Sequence, residues 1–145
     1  MKHHLIPRVI AKLLAPFIIV FALYVQFHGD YGPGGGFQAG VIFAVAFILY
    51  ALIFGLENAR RAAPPGVIRT LTALGVLIYA GTGVATLALG GTFLDYSVLA
   101  PHAHDGQHYG ILVVEFGVGM TVASVMIGIF FIFGGRGRRS ADDPD

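Results

Sequence analysis

The sequence of 145 residues contains no cysteine and no tryptophan, and only 12% of its residues are charged. The absence of cysteine excludes a disulfide framework, a thiolate metal site and thiol catalysis. Without tryptophan, anchoring at a membrane interface falls to 6 tyrosines and 12 phenylalanines. Charge is scarce because soluble domains usually carry about 25% charged residues. Apolar residues take its place, at 56% of the chain and a mean hydropathy of +0.77. A net charge of +1 says little alone; what counts is where the charges sit. A polytopic membrane protein fits these numbers, and a soluble enzyme does not.

A helix needs roughly 20 apolar residues to cross a ~30 Å hydrocarbon core. Four segments qualify, at about 9–27, 37–56, 67–89 and 110–133. The first follows Lys2 and Arg8 as a signal peptide would, but it is long and lacks a small-residue cleavage site after Gln26-Phe27-His28-Gly29. It reads as an uncleaved helix, with Pro16 loosening its backbone. Ala62–Gly66, with Pro64 and Pro65, reads as a short turn, and 134–145 as a polar, frayed tail. The expected fold is all-α: a single membrane domain over 1–145, built as a bundle of four transmembrane helices.

The basic residues orient it. Lys2, Arg8 and Lys12 lie at the N-terminal end, Arg60, Arg61 and Arg69 flank the second connection, and Arg136, Arg138 and Arg139 follow the last span. The first and third connections carry none. Under the positive-inside rule both termini and the middle connection face the cytoplasm, in a bacterial or archaeal plasma membrane. Lys12 lies one turn inside the first span, where snorkelling accounts for it.

Glu115 stands out inside the fourth span. A carboxylate at a helix centre costs roughly 2.5–3.5 kcal/mol on insertion scales, so such residues face protein or water. Near the outer edge the cost is lower. A proton or cation relay is one reading; a carboxylate hydrogen-bonded to a neighbouring helix, or hydrated from outside, is the other. Helical periodicity puts His108, Glu115, Gly119, Val122 and Met126 on one side of this span. Gly117, Thr121, Ser124 and Gly128 fall nearly opposite, as a small-residue stripe suited to close packing. Protein contact is therefore expected on both sides.

The outer connection Pro101-His102-Ala103-His104-Asp105-Gly106-Gln107-His108 has side chains that would suit zinc. Short histidine-rich loops need no metal, and pH sensing is an equally simple use. No metal site, cofactor or catalytic constellation is assigned, and the chain is not expected to be an enzyme.

The sharpest local pattern is Gly32-Pro33-Gly34-Gly35-Gly36-Phe37-Gln38-Ala39-Gly40, between the first two spans. Consecutive glycines permit positive φ and close approach of another chain. Gly36 and Gly40 form a GxxxG at the start of the second span, suited to tight helix contact. A phosphate-binding loop is disfavoured, since no Lys-Ser/Thr follows and the segment lies outside. At this motif the sequence resembles the MnhB/MrpB family, the B subunit of Mrp-type multisubunit Na+/H+ antiporters. The family pattern is a short His-containing turn leading into Pro-Gly-Gly-Gly-Phe. Here it is His28-Gly29-Asp30-Tyr31-Gly32 followed by Pro33 through Gly40. Many members have a histidine where this chain has Asp30.

The resemblance, which covers about Ile6 to Phe133, implies an accessory subunit of a complex exchanging Na+ for H+ on the proton-motive force. Its partners would be the other Mrp subunits and the lipid bilayer, with Na+ and H+ as the ions moved and no nucleic acid. Related B-type subunits also imply an alternative, a membrane-bound hydrogenase or complex-I-like redox pump. An independent homo-oligomeric channel is a third reading. Glu115, Asp30 and His28 are the proton- or ion-path candidates. Pro33, Gly34, Gly35, Gly36, Phe37 and Gly40 are the candidate structural and subunit-contact residues.

Overall fold

The computed structural model describes residues 5–29 and 34–139, the last four by their backbone alone. It contains helices α1 (Leu5–Phe27), α2 (Gly36–Phe54), α3 (Leu56–Ala62), α4 (Pro65–Ala88) and α5 (Ala103–Arg139), with a 3-10 turn at Tyr96–Leu99. No strand occurs among the described residues. Four stretches are long and apolar enough to cross a membrane: α1, α2, α4, and Ala103–Gly135 of α5.

The ends of these helices differ from the expected spans for local reasons. α1 starts earlier, because Pro7 falls in a first turn whose N–H groups have no helical acceptor. It then runs through Pro16 without ending. α2 stops at Phe54 because Gly55 takes a φ of 95°, a conformation that glycine reaches cheaply. The seven-residue helix α3 lies between that break and the short turn before α4. Pro65 then opens α4, at a position where its missing N–H costs nothing. At the other end, α5 begins at Ala103, with Asp105 in its first turn complementing the helix dipole. Most of the expected histidine-rich loop is thus the opening turns of a helix. The start of the expected tail is helical too, to Arg139.

The four spans pack as a row. α1 packs on α2, α2 on α5, and α5 on α4, while α1 meets α5 only slightly. The buried apolar side chains are mostly alanine, joined by Ile68, Ile127 and Phe131. Small residues let helix backbones approach, so dispersion takes the place of the hydrophobic effect within lipid. Large side chains such as Phe17, Leu77 and Ile132 point outward, as a lipid- or partner-facing surface requires.

α5 holds the row together by its two contrasting faces. On one, a Cβ added to Gly36 would lie 2.0 Å from the carbonyl oxygen of Glu115, and one on Gly40 would lie 2.6 Å from that of Gly119. On the other, a Cβ on Gly75 would lie 2.2 Å from Oγ1 of Thr121 and 2.6 Å from the carbonyl oxygen of Gly117. The Thr72 hydroxyl donates to Oγ of Ser124 at 2.9 Å, and Ile68 reaches Gly128. Both faces read from the periodicity are therefore packed, although Met126, at the far end of the first, remains 39% exposed.

The two ends of the row differ in charge. At one, Arg8 and Lys12 lie 5.3 and 5.5 Å from the centre of the Phe54 ring. Arg60 donates to the carbonyl oxygen of Phe131 at 2.8 Å, and Arg61 pairs with Glu57 on the surface. At the other end, residues 89–102 fold back on α4. Thr86, fully buried, donates to the Gly83 carbonyl at 2.8 Å and accepts from the Leu94 N–H at 3.0 Å. That bond holds Leu94 at a φ of 63°, uncommon for a branched residue. Asp95 caps the 3-10 turn by accepting from the Ser97 N–H and hydroxyl.

Candidate functional site

Glu115 and the glycine-rich turn, far apart in sequence, form one site. The half-buried Glu115 side chain projects from α5 toward the junction of α1 and α2. A Cβ on Gly29 would lie 2.6 Å from Oε2 and 3.2 Å from Oε1, and one on Gly35 would lie 3.1 Å from Oε1. The carboxylate thus occupies space that side chains at these glycines would fill. Gly35 also has a φ of 141°, which L side chains rarely adopt. It precedes the first residue of α2 and provides no side-chain cap. The carboxylate lies beside that helix start, where the positive end of the dipole favours an anion.

Gln26 completes the site, and its part is not evident from the sequence. It is 8% exposed, and its Oε1 lies 2.4 Å from where a Cβ of Gly119 would be. Gly119 is one turn below Glu115 on α5, so Gln26 and Glu115 form a polar pair along one helix face. A signal was present: Gln26 shares a stripe of α1 with Ala11 and Ala22, both buried.

The remaining candidates divide. His28 is exposed just past α1 and stacks on Tyr24, with ring centres 5.0 Å apart. Gly34 packs against the Val25 carbonyl. Gly36 and Gly40 are buried against α5 within this chain, so their GxxxG is not a free surface for another subunit. Phe37, beside them, points away and is 64% exposed. Asp30 and Pro33 lie outside the described residues.

The histidine-rich segment does not converge on a point. Among the described residues, no three His, Asp or Glu side chains could hold one metal ion. His104 is exposed, with Nδ1 3.7 Å from Oδ1 of Asp105. Nearby, Tyr96 packs on Gly106 and Gly110 of α5. Burial there, with the nearby Tyr79, pushes the Tyr96 phenol above its ordinary value.

A half-buried carboxylate set against glycine backbone in an apolar span can hold a proton or a monovalent cation at the end of the row away from the basic residues. Comparison with known proteins points the same way. Relatives bearing the name "Putative antiporter subunit mnhB2" in Staphylococcus aureus strains Newman and COL are each 30% identical over 139 residues, covering 93% of this chain and 98% of theirs. Residues 6–128 match the model of the MnhB domain, described as related to the MnhB subunit of Na+/H+ antiporters, and the chain belongs to that family.

Proposed function

We propose that this chain is the B-type accessory subunit of an Mrp-type Na+/H+ antiporter, and that Glu115 handles a proton or cation on the ion path. The observation that carries the second part is the seating of the carboxylate against Gly29 and Gly35 beside the start of α2. An intramembrane ionisable residue is costly and is by default a candidate functional site. Here three parts of the chain converge on it. Four spans with one such carboxylate are slight equipment for an autonomous exchanger, which supports an accessory role among other Mrp subunits.

In this reading 1–145 is one membrane domain of a plasma-membrane complex that exchanges cytoplasmic Na+ for external H+. The gathering of Arg8, Lys12, Arg60 and Arg61 at one end supports cytoplasmic termini. Glu115, His28 and the glycine-rich turn then face outside. A green fluorescent protein fused to the C-terminus should fluoresce; a dark fusion would reverse the orientation. Exposed Phe37 and the outward faces of α1 and α4 are the surfaces left for partner subunits.

The test is purification of the tagged chain in mild detergent from cells expressing the whole operon and from cells lacking the other subunits. The chain should co-purify with antiporter subunits in the first and yield no transporting unit in the second. Autonomous Na+/H+ exchange by the chain alone would overturn the accessory role, and co-purifying iron–sulfur hydrogenase subunits would overturn the antiporter.

A further inference from the structure

The curved row leaves an apolar groove of about 340 Å³ on one side. α5 is its floor, through Gly119, Met120 and Ala123; Phe43 and Phe47 of α2 form one wall, and Val67 and Leu71 of α4 the other. The upper part of α1 extends the first wall with Ala22, Leu23 and Gln26. Towards the basic end the groove reaches Ala62 and Ala63, at the crossing from α2 to α4.

The same stripe of α1 continues downward. Positions 8, 12, 15, 19, 22 and 26 recur at helical spacing, so Arg8 and Lys12 share a face with Ala22 and Gln26. Both cations lie over Phe54, which is two turns below Phe47 on the groove side of α2. Neither forms a salt bridge with any described carboxylate. Two cations without a described acidic partner, about 10 Å beyond Phe47 at the basic end of an apolar groove, are complementary to an anionic amphiphile. A basic pocket between transmembrane helices is the known form of such a site. The rise from Phe47 to Phe54 is about 10 Å, enough for the glycerol ester region between a phosphate and a seated acyl chain.

We propose that this groove binds one anionic phospholipid from the leaflet at the basic end, with its phosphate between Arg8 and Lys12 and one acyl chain along Phe47, Leu71 and Met120. A transmembrane helix of another subunit would leave the two cations without partners unless it brought an acidic residue to their level. The lipid meets both requirements at once. The proposal does not depend on which ion the complex moves.

The experiment uses the whole complex in lipid nanodiscs with phosphatidylglycerol or phosphatidylcholine bearing a diazirine in one acyl chain. After irradiation, labelled peptides are mapped by mass spectrometry. Phosphatidylglycerol should label the peptides containing Phe47, Leu71 and Met120, and unlabelled phosphatidylglycerol should displace it while phosphatidylcholine does not. Arg8→Gln with Lys12→Gln should weaken that displacement on the order of 30-fold, from about 5-fold for each charge. Equal labelling by both lipids, or unchanged competition in the double variant, would overturn the proposal. So would a photoreactive residue at Phe47 that cross-links to another subunit. If the double variant fails to assemble, the competition on the unmodified complex decides alone.

Discussion

Replacing Gly36 by alanine puts one methyl group between α2 and α5. It would lie 2.0 Å from the Glu115 carbonyl oxygen, 2.9 Å from the carbonyl carbon and 3.0 Å from the Gly119 nitrogen. All three are backbone atoms, so no side chain can turn away. Carbon and oxygen pack at about 3.3 Å at the closest, so the helices must separate by roughly 1.3 Å or twist. Overpacking of a well-packed contact costs about 1–3 kcal/mol, and this contact meets backbone, which argues for the upper end. Gly81→Ala is the matched control, since nothing lies within 4 Å of its added methyl and alanine favours helix by up to ~1 kcal/mol. Both variants are compared by heating the detergent-purified complex and measuring what remains monodisperse by size exclusion. Gly36→Ala should lower the midpoint by several degrees and reduce exchange, because the Glu115 backbone moves with the contact. Gly81→Ala should match the parent or melt slightly higher. A Gly36→Ala complex with parental stability and exchange would refute the α2–α5 packing described above.

Three further outcomes follow from other parts of the fold. Thr86→Val leaves the Leu94 N–H without its acceptor and should cost about 1–3 kcal/mol, measured as faster proteolysis within 89–102; an unchanged cleavage rate would contradict the anchor. Burial and Tyr79 raise the Tyr96 phenol, so its contribution to stability is complete below the unfolded value of 10.0 and is lost as pH rises through the folded value. Phenolate absorbance at 295 nm, with Tyr96→Phe subtracted, should titrate above 10.0; a midpoint at or below it would contradict the packing on Gly106 and Gly110. Phe37→Ala removes a ring that is 64% exposed; it should leave the chain inserted but reduce its recovery with other subunits on native gels, and full recovery would remove Phe37 from the subunit contacts.

The sequence carried the helices because the bilayer demands long apolar runs, and four such runs are visible in the residue order. The two faces of α5 were legible for a similar reason: 3.6-residue periodicity separates Gly117, Thr121 and Ser124 from Glu115 and Gly119 without reference to any partner. Other features depend on what stands beside what. The break at Gly55 turns on one dihedral angle, and Leu56–Ala62 reads equally well as the end of a helix or as a loop. The histidines were read as a loop because polarity marked the end of the apolar run, whereas helical hydrogen bonding continues beyond it into water. The order of the helices in the row cannot be inferred from four similar spans. For that reason the sequence nominated Glu115 and the glycine-rich turn separately, and the tertiary fold joined them. Gln26 shows in the residue order only as a polar interruption near the end of the first apolar run, although it reaches across to Gly119.

The measurement closest to the central claim is Na+/H+ exchange in everted membrane vesicles carrying Glu115→Gln. The glutamine keeps the volume beside Gly29 and Gly35 and removes the group that holds a proton or a cation. Assembled complex should appear in parental amounts on native gels, with exchange reduced by at least about tenfold, since a positioned proton-transfer group typically contributes 10²–10⁴-fold. Parental exchange rates in those vesicles would contradict this, and would leave Glu115 a packing residue of the α2–α5 contact.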